Sequence, residues 1–422
     1  MMKKAQKAKS GDLRRRFFLG NLTAAGIVGI TNHACHGPTT IRTAHAPKQV
    51  KDQTKNAEFG LPKDLVYLNC GSLGPCPLSV INATNEAWRT LEVNPVHQAY
   101  GPLRLKMEEV RQQTARFLGC EQGELALTQN ATEAMNAIAQ GIGLRAGQRV
   151  LTSDQEHPGG SVCWDYFAQR DGVKVDKFKL GMPPKDEDEI LGLIKEGITP
   201  ETRVISLSHV TYPTGIRMPL RRIAKLSQSK SILFVVDGAQ APGMLPVNLH
   251  ELDCDAYAAS CHKWMLAPKG TGLLFINQRA GKEIRPLSLF SGPAAYSASS
   301  GTRNIPSIIG LGAAIDYLES EGVERIERHG MKLRQRLFHG LKKLPKAQVV
   351  SPASGSLASP MISFTLNSKE PYPVAQVLKE TRNIVVKVAS SPGFHGFRIS
   401  PHLYNDEEDV DLLVDALKEI LG

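Results

Sequence analysis

The chain has 422 residues, 41% hydrophobic and 22% charged, with a formal net charge of +10. That length and balance suit a globular protein with a large core and two domains, and exclude a low-complexity chain. The charge does not point to nucleic acid, because residues 1–46 carry +7 of it and the rest only +3.

In chain order, residues 1–46 read as a leader. Lysines 3, 4, 7 and 9 precede Arg15-Arg16-Phe17-Phe18-Leu19 and a mildly apolar run over 22–30. The pattern resembles a twin-arginine export signal, with Ala44-His45-Ala46 as a small-x-small cleavage site. The run is shorter than the roughly 20 residues a membrane span needs. The resemblance implies that the twin-arginine machinery exports the protein, already folded, to the periplasm. Six cysteines remain beyond Cys35, with no zinc-site spacing. Cys70 and Cys76 flank Gly74-Pro75 and could pair, but free thiols are the plainer reading.

Residues 47–76 form a segment expected to join a small C-terminal domain. Helical periodicity runs over 80–118. Strands then alternate with helices at 125–128, 149–152, 203–207, 233–236, 256–259 and 272–276. Several are continuous apolar runs, as in a sheet covered on both faces. A long helix is predicted from 305 towards 341, strands at 361–366 and 397–400, and a closing amphipathic helix over 406–421. The pattern predicts an α/β fold: a mostly parallel, seven-stranded-type sheet in a large domain over 77–320, and a smaller α+β domain over 321–422.

The chemistry concentrates at two strand ends. Asp237-Gly238-Ala239-Gln240 ends the apolar run 231–236, and Ser260-Cys261-His262-Lys263-Trp264 follows the strand 256–259. Ligand contacts collect at the carboxyl ends of strands in an open α/β sheet. An acid and a lysine placed so can hold pyridoxal 5'-phosphate. The lysine amine forms a Schiff base with the aldehyde, and the carboxylate keeps the pyridine nitrogen protonated. Gln240 would donate to the ring hydroxyl oxygen. A strand-to-helix turn at Asn130-Ala131-Thr132 offers backbone N–H groups to the phosphate.

These residues, with Ala267-Pro268-Lys269-Gly270-Thr271-Gly272 behind them, resemble the class V aminotransferase family of fold-type I pyridoxal phosphate enzymes, most of all its isopenicillin N epimerase-like branch. The resemblance runs from about residue 67 to the C-terminus. It implies that His157 stacks on the cofactor ring, that Ser260 and His262 touch the phosphate, and that Thr302 reaches the phosphate of a second subunit in a homodimer. Where the family shows small hydroxyl residues, this chain has Ala131, whose contact could be through its backbone alone. Arg398, in Phe397-Arg398-Ile399-Ser400, matches the arginine that binds the substrate α-carboxylate. Asn69 and Thr211 fall on loops that line the pocket in relatives. A helix cap for Thr302 and a structural salt bridge for Arg398 are the plainer alternatives.

The expected function is pyridoxal phosphate chemistry at the α-amino group of an amino acid or peptide-linked amino acid. Lys263 acts as base, and the pocket selects transamination, epimerisation or elimination. Cysteine desulfurases carry a mobile cysteine near the carboxylate-binding arginine. Residues 382–401 contain none. A desulfurase-like enzyme and a non-catalytic cofactor-binding relative are the alternatives.

Overall fold

The computed structural model describes residues 57–295, 297 and 299–422. The leader and its twin-arginine pattern lie outside the described residues.

A seven-stranded sheet is built from β2 (Leu125–Thr128), β3 (Arg149–Ser153), β4 (Lys174–Phe178), β5 (Thr202–Ser208), β6 (Leu233–Asp237), β7 (Ala256–Ser260) and β8 (Gly272–Ile276). The spatial order is β2-β8-β7-β6-β5-β3-β4. Pairing is parallel from β4 through β7, and β8 runs antiparallel to both β7 and β2. The mostly parallel α/β sheet read from the sequence is therefore present.

Both faces are covered, which is why the central strands β6, β7 and β8 are apolar nearly end to end. Phe234 and Val236 of β6 pack with Met107, Ile190, Ile223 and Leu311. Val235, between them, turns the other way onto Ala134, Ile138, Trp164 and Phe167. One strand thus feeds two cores by its period of two.

The expected helix over 80–118 is three helices, Leu78–Val93, Pro95–Tyr100 and Pro102–Phe117. Each break falls at a proline that lacks the N–H a continuing helix needs and suits a first turn. The helix expected from 305 towards 341 is two, Ile305–Glu321 and Val323–Lys342, separated by Gly322 at φ +76°.

A four-stranded antiparallel sheet follows from β9 (Ala347–Val349), β10 (Ile362–Leu366), β12 (Lys387–Ser391) and β13 (Phe394–Ile399), ordered β12-β13-β10-β9. Helices Val323–Lys342, Pro371–Arg382 and Glu407–Leu421 cover it through Leu333, Leu337, Leu378, Leu413 and Leu417. The N-terminal segment is stitched to this region. β1 (Val66–Tyr67) pairs in parallel with β11 (Ile384–Val385), and Asn69 bridges to Ser400. The 69–74 strap is thereby carried across to the lysine loop, where Gly74 N–H donates to the His262 carbonyl at 2.9 Å.

Candidate active site

The carboxyl ends of β3, β5, β6 and β7 converge on one place. Asp237 closes β6 and is almost fully buried. Its Oδ1 accepts the Ala239 N–H at 2.9 Å, and Oδ2 has no hydrogen-bond partner among the described residues. Gly160, at the start of helix Pro158–Asp171, backs directly onto Oδ2, so a side chain there would collide with the carboxylate. Burial raises the Asp237 pKa, while the Ala239 bond and the Lys263 charge pull it down.

Lys263 lies in the loop after β7. Desolvation lowers its amine to about 8, against the pull of Asp237, and Arg398 adds to the fall. The loop is tight. Leu266 N–H donates back to the Lys263 carbonyl at 3.2 Å, with Leu266 in the left-handed region at φ +58°. It is also buttressed by the C-terminal region, where the His402 ring bonds the Trp264 carbonyl at 3.0 Å.

His157 caps helix Pro158–Asp171, its Nδ1 accepting the Gly159 N–H at 2.9 Å. Burial, then the charges of Lys263, Arg398 and Lys387, lower its pKa to about 4, so the ring stays neutral. Burial and then Lys263 hold His262 at about 4 as well, and its Nδ1–H donates to the Thr271 carbonyl at 3.1 Å.

The turn before helix Ala131–Ile142 differs from the expectation. Ala131 N–H does not stand open to a ligand, because it donates to Ser260 Oγ at 3.0 Å and locks β7 to the helix start. Thr132 comes next, its hydroxyl against Gly159, so the N-termini of two helices meet here. Gln240 is engaged at both ends. Nε2 donates to the Gly71 carbonyl at 2.9 Å and Oε1 accepts from Trp264 Nε1 at 2.7 Å, leaving one amide hydrogen for another acceptor.

Arg398 is completely buried on β13. Its Nη2 donates to Ser72 Oγ at 3.0 Å and more weakly to Asn69 Oδ1 at 3.4 Å, its Nη1 reaches the Tyr212 carbonyl at 3.4 Å, and Nε is unpaired. Burial lowers its pKa to about 10. No described carboxylate pairs with it, so it is not a structural salt bridge. Asn69 therefore belongs to the arginine's surroundings.

Thr211 is not gathered in, and Thr302, expected at the site of a second subunit, stands apart from the site of its own chain. The Thr211 hydroxyl is used inside its own loop, bonding Thr214 at 2.8 Å and accepting the Ile216 N–H at 2.9 Å. Thr302 is exposed, and no hydrogen bond ties it to the other site residues of its own chain. Nor is it the helix cap, since Asn304 caps Ile305–Glu321.

Sequence reasoning missed Tyr212, next to Thr211. Its ring meets His157 edge-on at 4.7 Å and lies 5.2 Å beneath the Arg398 guanidinium. It also missed Glu156, whose carboxylate accepts from Ser153 Oγ and Ser208 Oγ at 2.5 Å each, with Ser208 directly opposite Asp237 in the sheet. The available signal was the acid directly before the histidine in Gln155-Glu156-His157.

Residues 66–413 match the family described as Aminotransferase class-V. A probable cysteine desulfurase of Methanothermobacter thermautotrophicus is 30% identical over 397 residues, covering 86% of this chain and 97% of that protein. An isopenicillin N epimerase of Streptomyces clavuligerus is 30% identical over 383 residues, covering 86% and 96%. Among solved structures, an apo cysteine desulfurase of Thermococcus onnurineus superimposes with a TM-score of 0.77 at 25% identity, covering 89% of this chain and 99% of that one. By these matches the chain belongs to the class-V aminotransferase family of pyridoxal-phosphate enzymes.

Proposed function

We propose that the enzyme acts on the α-amino group of an amino acid, free or at the end of a peptide, with Lys263 as the cofactor-bearing lysine and proton carrier. One observation carries this reading. A lysine lowered to about 8, a buried carboxylate with a vacant oxygen and a buried arginine with no acid come together at the strand ends.

These groups fit pyridoxal phosphate. Lys263 would hold its aldehyde end, Asp237 its ring nitrogen, and Thr132 and Ser260 its phosphate; the neutral His262 has already given its one N–H to Thr271 and has none left for a phosphate oxygen. When bound, the cofactor supplies a sink for the electron pair left at the substrate Cα. Lys263, near neutrality, takes and returns the Cα proton. Asp237, through the oxygen that no hydrogen bond uses, would hold a proton on the ring nitrogen. Arg398 grips the α-carboxylate with its spare N–H groups. His157, neutral and braced by Tyr212, covers the site and keeps water away.

Cysteine desulfuration through an enzyme persulfide is the second reading, since several relatives are named as cysteine desulfurases. It needs a reactive thiolate. Cys70, within the 69–74 strap, is buried and pushed up to about 12. The other described thiols are raised too, and all six are free. The hairpin carrying Arg398 has no cysteine. This disfavours a sulfur carrier.

The same proposal includes a homodimer and export. Val93, Val96, Leu105 and Phe290 are exposed apolar side chains suited to a second copy, and Thr302, exposed nearby in sequence to Phe290, would reach the partner's phosphate site. Arg15-Arg16-Phe17-Phe18-Leu19 supports a periplasmic destination.

The test is the visible spectrum of the holoenzyme before and after addition of amino acids and short peptides, with products identified by mass. A spectral change with a defined product is expected. A bound cofactor unmoved by every amine would make this a non-catalytic relative.

A further inference from the structure

Lys387 opens β12 and stands directly opposite Arg398 of β13. Opposed residues of an antiparallel pair project to the same face with Cβ atoms roughly 5 Å apart. That face carries the contacts of Arg398 with Tyr212, Asn69 and Ser72, so the lysine shares the site with the arginine. Its charge is felt at His157 and is itself opposed by that of Arg398.

Like charges set opposite one another weaken a sheet. The usual remedy is a carboxylate between them. Among the described residues none pairs with either cation, and the Lys387 amine makes no hydrogen bond. The neighbours acting on Arg398 are Tyr212, Cys70 and Tyr67, none of them a carboxylate. The chain's own nearby acid, Asp237, is matched by Lys263 and committed to the cofactor. Two cations remain, one of them wholly buried, and a single α-carboxylate neutralises only one.

We propose that Arg398 and Lys387 form a cradle for two carboxylates, and that the substrate is a dicarboxylic amino acid unit whose side-chain carboxylate is held by Lys387. The inference rests on the reading above that Arg398 takes the α-carboxylate. It adds a specificity residue and a substrate class. Lys387 is suited to a side-chain group of variable reach, because an ammonium on a four-carbon stem is a flexible point charge.

The test uses carboxylates that carry no amine and so cannot react. Calorimetric titration of the holoenzyme with glutarate, succinate and butyrate reads the cradle alone. The wild-type enzyme is expected to bind a dicarboxylate about tenfold more tightly than butyrate, the value of one charge-assisted hydrogen bond. Lys387→Met should bring that preference to within about twofold, and Lys387→Arg should keep it. Melting temperatures of both variants establish that they fold. A wild-type enzyme without the preference, or one that binds none of the three, overturns the inference, as does a preference surviving in Lys387→Met. An enzyme that reacts with amines yet lacks the preference sinks this inference alone. One that shows the preference yet reacts with no amine sinks the catalytic reading instead.

Discussion

Gly74 and Lys263 are in backbone contact. The Gly74 α-carbon faces the Lys263 carbonyl with no room for a Cβ, and Gly74 N–H donates to His262. The N-terminal strap therefore sets the position of the lysine loop. Gly74→Ala must push one backbone off the other. The expected cost is about 1–3 kcal/mol of stability, with a fall in bound cofactor. Thermal melting and the cofactor-to-protein ratio check both. A variant with unchanged melting and full cofactor would show that strap and loop are independent.

Cofactor uptake should report the lowered lysine. Only the unprotonated amine attacks an aldehyde, and Lys263 is held at about 8 chiefly by desolvation. For apoenzyme mixed with pyridoxal phosphate, the attachment rate should rise about tenfold per pH unit and level off above about 8. An ordinary lysine would keep rising towards about 10. The growth of visible absorbance across pH distinguishes the two.

Tyr212 links His157 to Arg398, meeting the one edge-on and lying beneath the other. Tyr212→Leu removes a cation–π contact worth about 0.5–2 kcal/mol. KM for the amino substrate should rise about 2- to 30-fold with a smaller change in kcat, and Tyr212→Phe should stay close to wild type. Steady-state kinetics decide it, and an unchanged KM in the leucine variant would remove Tyr212 from the site.

Glu156 gives a pH-dependent stability. Burial pushes its carboxyl up to about 7, against the lowering effect of its serine partners, with the Asp237 charge adding to the rise. The unfolded value is about 4.3. Between these values the folded protein binds the extra proton, so this stability is full below the unfolded pKa and is lost as pH rises through about 7. Glu156→Gln lacks the term. Its melting temperature should gain on the wild type between pH 5 and pH 8. Parallel curves would mean that Glu156 is ionised throughout.

Much of this was legible because buried parallel strands announce themselves. β6 and β7 are apolar nearly end to end, so Asp237 and Lys263 fall at recognisable strand ends. β4 was not legible. Lys-Val-Asp-Lys-Phe alternates charge with apolar residues because it is an edge strand with one neighbour. Tyr212 lies in a loop whose side-chain directions are set by Arg398 and His157, which no local pattern encodes, and neighbouring Thr211 was chosen in its place. Lys387 reads as a solvated lysine on an edge strand. Only the register with Arg398 turns it towards the site. The Gly322 break was visible as a glycine, but the apolar periodicity on either side masked it.

The central claim is that Lys263 carries the cofactor, and borohydride reduction tests it most directly. Reduction of the holoenzyme fixes the cofactor to the lysine that bears it, and peptide mass mapping locates the adduct. The account predicts one adduct, on the peptide containing His262-Lys263-Trp264. An adduct on Lys269 or any other lysine, or coloured protein that yields none, would contradict it.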